Sequence, residues 1–200
     1  MLSQIHLQIG NFILNNYLIA LFCYFLIYLL LMACALPFAG LMDLLGGFYF
    51  GWVSFPIALV SVTVGSIIPF SIAKYYGGQS LEKYEINILK KIENHCNNNE
   101  IKYVVIMRII PWAPFSVATM LAGALKIKSS NFMTGTALGF LPWGFGLNEL
   151  GQGFASILQM EQITILEVIK TPTFFLGLII TIGAIAGGKF IKTYYQKILK

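Results

Sequence analysis

The chain has 200 residues, of which 58% are hydrophobic and 10% are charged, and its formal net charge is +5. Soluble domains carry about 25% charged residues, so this composition, with a mean hydropathy of +0.77, excludes an ordinary soluble enzyme or nucleic-acid-binding domain. Charged residues are absent from five long stretches: 1–42, 44–73, 109–125, 129–148 and 171–188. Because a bilayer-spanning helix needs about 20 mainly apolar residues, we predict an all-α, polytopic membrane protein with a single domain, 1–200.

Four segments have the length and apolar character of spanning helices: 12–36, 55–75, 132–150 and 173–188. Pro37 ends the first of them, because proline lacks the backbone N–H that a helix interior requires. The next piece, 37–51, is rich in glycine and too short to span, yet it is apolar apart from Asp43. Irregular backbone at bilayer depth survives only where protein packs around it or where it lines a cavity. We therefore predict a re-entrant helical hairpin over 37–51.

A second re-entrant hairpin is predicted over 103–125. Arg108 stands at the edge of an apolar run, and Pro111 and Pro114 follow it and prevent a regular helix. A charged residue at bilayer depth is costly and by default marks a functional site. The segment is therefore predicted to be a broken hairpin with an arginine at its mouth.

Lysine placement predicts the orientation of these elements. The polar stretch 77–102 has apolar residues at helical spacing, which favours an amphipathic helix on the membrane surface, with a simple connector as the alternative. Segment 126–130 holds two lysines and the tail 189–200 holds four, whereas the loop 151–171 holds one. The positive-inside rule then places the first three segments in the cytoplasm and the loop outside. Both termini become cytoplasmic, and the two hairpins enter from opposite faces, as in many secondary transporters.

Four motifs occur along the chain in one order: Gly46-Gly47-Phe48-Tyr49-Phe50-Gly51, Ala73-Lys74-Tyr75-Tyr76-Gly77, Arg108-x-x-Pro111-x-x-Pro114-Phe115 with Ala122-Gly123, and Phe132 followed by Gly135, Gly139 and Pro142. Over residues 31–155 they resemble the DedA superfamily, also called VTT-domain or SNARE-associated Golgi proteins. The first motif resembles the branch of the Tvp and transmembrane-protein-64 relatives. The resemblance implies two opposed re-entrant hairpins and the flipping or scrambling of a phosphate-bearing lipid, either a phospholipid or a polyprenyl phosphate. The small size of the chain favours a bacterial inner membrane.

Candidate substrate-binding residues lie in the two hairpins: Gly46, Gly47, Arg108, Pro111, Pro114 and Gly123. A guanidinium is a planar fork of donors that can hold a phosphate through two hydrogen bonds. We therefore predict that Arg108 binds the lipid phosphate. The alternative is that Arg108 only anchors the hairpin by extending its charge to the head groups.

Two carboxylates are candidates for proton coupling. Asp43 lies within the first hairpin and is predicted to face Arg108, so that protonation of Asp43 would release Arg108 for the lipid. Glu149 closes the third predicted span. The alternatives are a capping or pairing role for Asp43 and an ordinary helix-end position for Glu149. The coupling ion stays open between a proton and sodium, as does passive movement.

Enzymatic function is not expected. His6 and His95 both lie outside the apolar segments, and the chain has neither a Gly-x-Ser-x-Gly nucleophile elbow nor a cluster of metal ligands. No cofactor or metal is therefore predicted, and the expected partners are membrane lipids rather than nucleic acid, with a homo-oligomer left open. The alternative function is a scaffold that organises lipids or partner proteins without transporting them. Three Gly-x-x-x-Gly pairs, beginning at Gly47, Gly135 and Gly183, are predicted to permit close helix packing.

Overall fold

The computed structural model describes residues 10–83, 99–109, 115–158 and 172–198, and every regular element in those ranges is helical. The helices are α1 (Tyr17–Ala33), α2 (Ala39–Phe50), α3 (Ser54–Gly65), α4 (Ile67–Lys83), α5 (Glu100–Ile109), α6 (Phe115–Ala124), α7 (Ser129–Leu158) and α8 (Pro172–Ile198). A 3-10 turn, Gly51–Val53, joins α2 to α3. Most of the predicted amphipathic segment, most of loop 151–171, His6, His95, Pro111 and Pro114 lie outside the described residues.

Helices α1 and α2 form the first hairpin. The Tyr28 hydroxyl, late in α1, donates a hydrogen bond to the Asp43 carboxylate at 2.9 Å and lies 3.2 Å from the Ala39 carbonyl oxygen, both early in α2. At the other end, the ring of Tyr17 meets the ring of Phe50 edge-on, with 6.0 Å between centroids. The start of one helix thus lies beside the end of the other, so α1 and α2 are antiparallel.

The tip of this hairpin is a helix stop built into the sequence. Ala35 has the left-handed φ of 56°, and the N–H groups of Ala35 and Leu36 bond back to the carbonyls of Met32 and Leu31. This is a Schellman ending, and a proline commonly follows it because proline cannot continue the helix; here Pro37 does. The turn between α1 and α2 therefore lies at 34–38. Helix α1 lies within the predicted span 12–36 and α2 within the predicted re-entrant segment 37–51, and which of them crosses a membrane stays a prediction.

Helices α3 and α4 follow one another in the direction of α1. Ser61 lies beside Phe25, with 3.5 Å between the serine hydroxyl and the carbonyl oxygen, and a Cβ added to Gly65 would lie 2.7 Å from the Leu29 carbonyl oxygen. The predicted span 55–75 thus consists of two helices that meet at Ser66. Among the described residues, one helical stretch, Ala39–Gly77, is long and apolar enough to cross a membrane by length and composition. The chain reverses direction at Gly51, so α2 runs opposite to α3 and α4. The continuous part of that stretch therefore consists of α3 and α4.

Helices α5 and α6 form the second hairpin. The Glu100 carboxylate, at the start of α5, accepts hydrogen bonds from the Lys128 N–H at 3.0 Å and the Asn131 amide at 2.8 Å, just after α6 ends. At the opposite end, Arg108 bonds to Phe115 at the start of α6. The two helices are therefore antiparallel. Gly123 allows α6 to pack closely against α4, because a Cβ there would lie 2.9 Å from the Cβ of Ala73.

Helix α7 contacts both hairpins. It is 30 residues long with Pro142 inside it, and it contains the predicted span 132–150. Helix α5 packs against its first half at two glycines. A Cβ added to Gly135 would lie 2.7 Å from the Cβ of Val104, and one added to Gly139 would lie 2.6 Å from the Cβ of Arg108. Its second half receives α2, where a Cβ on Gly47 would overlap the Asn148 carbonyl.

Two of the three predicted glycine pairs therefore pack as expected, in part or in full. The packing roles of Gly47, Gly135 and Gly139 are confirmed, whereas Gly51 serves the turn, where its φ is +60°. For Gly183 and Gly187, no described residue lies within 4 Å of an added Cβ, so close helix packing there stays a prediction.

The helix directions form an inverted pattern. Helices α2 and α5 run parallel to α7. Along α2, for example, Gly40 contacts Leu147 and the later residue Leu44 contacts the later residue Gly151. Helices α1, α2 and α3–α4 therefore alternate in direction, and α5, α6 and α7 alternate in the opposite sense. Each set is a short hairpin followed by a longer helical stretch. Helix α8 returns antiparallel to α7, with Phe174 at Gly153 and Thr181 at Gly146.

Candidate functional site

Arg108 is positioned by the close crossing of α5 and α7. The aliphatic part of its side chain lies on Gly139, where an added Cβ would be 3.0 Å from the arginine Cγ. A larger residue at 139 would occupy that space. The glycine thus allows the arginine side chain to pass along the backbone of α7 toward α6.

Neutral groups hold the guanidinium. Nη1 donates to the Phe115 carbonyl at 3.1 Å, and Nη2 donates to the hydroxyls of Thr119 at 3.0 Å and Thr136 at 3.2 Å. The guanidinium carbon lies 3.8 Å from the centroid of the Phe115 ring and 5.4 Å from that of Phe132. Such cation–π contacts contribute about 0.5–2 kcal/mol depending on desolvation. The guanidinium is thus held by groups of α6 and α7.

The positive charge of Arg108 is not paired. Among the residues that the structure describes, no carboxylate lies within ion-pair distance of it, and its Nε–H is buried without a hydrogen-bond partner. A buried donor left in this state costs about 1–3 kcal/mol. An anion with two acceptor oxygens would compensate both the charge and the unpaired donor.

Asp43 forms a second polar centre. Its side chain is 1% exposed; Oδ1 accepts the Tyr28 hydroxyl proton at 2.9 Å, and Oδ2 has no partner. Tyr24 donates to the neighbouring Met42 carbonyl at 3.0 Å, and Gly46 makes room for that ring, since its added Cβ would lie 2.8 Å from Tyr24 Cζ.

The structure shows no ion pair between Asp43 and Arg108, whose hydrogen-bond partners among the described residues are different, so the predicted exchange between them stays a prediction. Asp43 is bonded to α1, and its helix packs on the second half of α7, whereas Arg108 packs on the first half. The two charges therefore belong to different helix contacts.

Glu149 lies in a buried polar chain. It is fully buried; Oε1 accepts from Gln152 at 3.2 Å, and Oε2 has no partner. Gln152 also donates to the Asn148 side-chain oxygen at 3.1 Å, and Asn148 donates to the Ser54 hydroxyl at 2.6 Å. Helix α7 continues to Leu158, so the predicted helix-end position of Glu149 is wrong.

The chain is similar to proteins of a known family. The family model described as VTT domain matches residues 36–152. The chain belongs to the VTT domain family. It is also 27% identical over 192 residues to the Transmembrane protein 41 homolog of Dictyostelium discoideum, an alignment that covers 93% of this chain and 54% of that protein. The chain thus spans about half the length of this curated relative, and no solved structure matches it.

These findings confirm the predicted family. Because proteins of this family are membrane proteins, this VTT-domain protein is one as well. The finer placement beside the Tvp and transmembrane-protein-64 relatives stays a prediction. The matched range begins near the tip of the first hairpin and ends in α7, so it contains Asp43, Arg108 and Glu149. All three polar centres therefore belong to the VTT domain itself.

The structure distributes the predicted site residues over separate contacts. Gly46, Gly47 and Gly123 are packing positions between helices, and Pro111 and Pro114 lie outside the described residues. Sequence reasoning did not identify Thr119 and Thr136, the two threonines that bind Arg108. Their signal is weak: each is a hydroxyl residue in an otherwise apolar helical run.

Proposed function

We propose that this protein moves a phosphate-bearing lipid, a phospholipid or a polyprenyl phosphate, across the bilayer by flipping or scrambling. The observation that carries the proposal is Arg108, a guanidinium packed between three helices with no carboxylate partner among the described residues and with its Nε–H unbonded. A guanidinium recognises phosphate through paired donors. An arginine kept in this state suits a ligand that brings its own negative charge.

The proposed topology places this arginine at mid-depth. In it, α3–α4, α7 and α8 cross the bilayer, and the α1–α2 and α5–α6 hairpins re-enter from opposite faces of a bacterial inner membrane. With three crossings the start of α1 would lie on the outer side and the tail in the cytoplasm, whereas the four predicted spans place both termini in the cytoplasm. Gly139, which supports Arg108, lies about 15 Å along α7 from Ser129 at about 1.5 Å per residue. The hydrocarbon core is about 30 Å thick, so Arg108 would stand near its centre, where a charge is costly unless it is used.

Reconstituted vesicles test the proposal directly. Purified protein is placed in vesicles that carry a trace of head-group-labelled phospholipid or polyprenyl phosphate, and an impermeant reagent bleaches the label in the outer leaflet. We expect bleaching to proceed beyond the outer-leaflet fraction in protein-containing vesicles. Bleaching that stops at that fraction for every lipid, with correctly folded protein, would favour the scaffold function instead.

Accessibility of the two ends of α7 tests the topology. Ser130 and Ser156 are both exposed, and about 39 Å of helix separates them at about 1.5 Å per residue. In a background with Cys23, Cys34 and Cys96 replaced by serine, we expect Ser156→Cys to react with an impermeant thiol reagent in intact cells. Ser130→Cys should react only after the membrane is opened. Equal labelling of both from outside would contradict the proposed crossing.

We propose that Asp43 carries any coupling to a proton gradient. Its free Oδ2 can accept a proton while Oδ1 keeps its bond to Tyr28, and an asparagine retains the acceptor that Tyr28 needs. We therefore expect Asp43→Asn to preserve protein abundance and to abolish the response of lipid movement to an imposed proton gradient.

The matched comparison for Asp43 is Glu149→Gln, which changes the other carboxylate that has an unbonded oxygen. Lipid movement is measured with and without a proton gradient in both variants. A full response in Asp43→Asn together with a lost response in Glu149→Gln would transfer the coupling role to Glu149. A full response in both would remove the carboxylates from the proposal.

A further inference from the structure

Thr136 is a fully buried hydroxyl residue on α7 beside Arg108. It lies one helical turn before Gly139, the glycine along which the arginine side chain passes, and residues at this spacing share one face of a helix. Its oxygen accepts a hydrogen bond from Arg108 Nη2 at 3.2 Å. Thr136 is therefore the contact through which α7 bonds to the guanidinium in the described part of the chain.

Two acceptors on α6 occupy the end of the guanidinium. The Phe115 carbonyl accepts from Nη1 at 3.1 Å, and the Thr119 hydroxyl accepts from Nη2 at 3.0 Å. These two oxygens lie 2.8 Å apart, because Thr119 donates its own proton to the Phe115 carbonyl. This spacing suits the two parallel N–H groups at the end of an arginine. Thr119 thus has no proton left for a ligand.

The edge of the guanidinium formed by Nε and Nη2 carries the unused donors. With the end of the group directed at α6, the second hydrogen of Nη2 is left for Thr136, and it lies on the same edge as the Nε–H. That Nε–H is buried without a partner. A hydroxyl can accept and donate at the same time, and the Thr136 hydroxyl accepts from Nη2 but donates to no residue that the structure describes. Two unused donors, one from each residue, therefore lie on one edge of a positive charge.

Aromatic rings already contact the rest of the guanidinium. Its carbon lies 3.8 Å from the centroid of the Phe115 ring and 5.4 Å from that of Phe132. Phe132 is itself stacked on Phe70, with 4.1 Å between centroids, and both rings are fully buried. The Nε–Nη2 edge is thus the position at which an anion would find donors that the protein does not use.

We infer that Thr136 is a further substrate-binding residue, whose hydroxyl donates to one oxygen of a lipid phosphate while the Arg108 Nε–H donates to another. The identity of the ligand rests on the proposed function. Thr136 would keep its bond from Nη2, because its oxygen can accept that bond while its proton is donated to the phosphate. A phosphate supplies acceptors for both donors, whereas a lipid without phosphate leaves the charge uncompensated. Thr136 would therefore help to select phosphate-bearing lipids.

Thermal stabilisation by lipid tests this inference without requiring transport. The purified full-length protein is kept in detergent, and the probe is phosphatidylglycerol with two eight-carbon chains. The rise of the thermal midpoint with probe concentration gives an apparent affinity. We expect Thr136→Val, which removes the hydroxyl at nearly constant shape, to weaken that affinity about tenfold, because a hydrogen bond to a charged group contributes at least this much. Thr136→Ser keeps the hydroxyl and should bind like the unmodified protein.

Thr63→Val is the matched control. The Thr63 hydroxyl donates to the Leu59 carbonyl of its own helix at 2.7 Å, so the same substitution there should leave the lipid affinity unchanged. A structural role alone for Thr136 predicts a different result: the midpoint without lipid would fall in Thr136→Val, and the affinity would not change. Thr136→Ala supplies the same comparison if the valine variant does not fold.

Three results would overturn the inference: unchanged affinity in Thr136→Val, equal loss in Thr136→Ser, or equal stabilisation by diacylglycerol with the same two chains. Inorganic phosphate is a separate arm. If it stabilised the protein as strongly as the lipid and required the Thr136 hydroxyl, the phosphate site would stand and the proposed function would be contradicted. Hydroxyl-dependent lipid binding by protein that moves no lipid in vesicles would have the same meaning. Lipid movement that is unaffected in Thr136→Val would contradict this inference and leave the proposed function standing.

Discussion

Arg108→Lys should lower lipid movement at least tenfold in vesicles, although the charge is conserved. The guanidinium donates to three oxygens on α6 and α7, and its carbon lies 3.8 Å from the centroid of the Phe115 ring. An ammonium is a point charge on a flexible stem that cannot form the planar fork. The variant should therefore lose both the geometry of the site and paired donation to a phosphate.

The matched control is Lys102→Arg, an exchange between the same two residue types at an exposed position of the same helix. It should leave transport unchanged. Protein abundance and the thermal midpoint are measured for both variants, so that loss of the fold is separated from loss of binding. Near-normal transport by Arg108→Lys at normal abundance would show that a simple positive charge is sufficient, and would contradict the phosphate-binding role.

Gly47→Ala should cause a large loss of stability, because among the glycines that the structure describes its added Cβ makes the closest approach to another backbone. An added Cβ would overlap the carbonyl oxygen of Asn148 and lie 3.0 Å from its Cα, and backbone atoms cannot rotate away as a side chain can. Overpacking of this kind costs about 1–3 kcal/mol and sometimes more, and here α2 would have to move away from α7. We expect a lower thermal midpoint and a weaker gel-filtration peak of folded protein in detergent.

Gly183→Ala supplies the contrast, because the same substitution there meets no atom within 4 Å. Alanine favours a helix interior over glycine by about 0.8–1 kcal/mol, so the thermal midpoint should stay the same or rise. If both variants were equally stable, the close approach of α2 and α7 would be disproved. If both were equally unstable, α8 would have to pack through its glycines after all.

The sequence was sufficient to predict the helical class and the family, whereas the functional role of Arg108 stays a prediction. A single charge followed by two prolines within an apolar run is a strong signal, because few structures can hold that combination in a membrane. The layout of the first hairpin was harder to predict. Residues 12–36 are as apolar as a spanning helix, and hydropathy does not distinguish a helix that crosses from one that turns back.

What decides the first hairpin is a set of long-range polar bonds. Tyr24 and Tyr28 bind the backbone and Asp43 of α2, and nothing in the local sequence of α1 assigns those partners. The same limit applies to three neutral polar residues: Thr119 on α6, and Thr136 and Asn148 on α7. Their roles arise only from tertiary contacts, since Thr119 and Thr136 meet Arg108 of α5 and Asn148 bonds to Ser54 of α3, so periodicity and charge could not identify them.

Pro142 is the position at which α7 can bend most easily. It lies between Gly139, where α5 is attached, and Asn148, where α2 is attached. Its ring lacks the N–H that would otherwise bond to the Leu138 carbonyl, so the helix is weakest against bending at this point. Bending there would change the angle between the part of α7 that contacts α5 and the part that contacts α2.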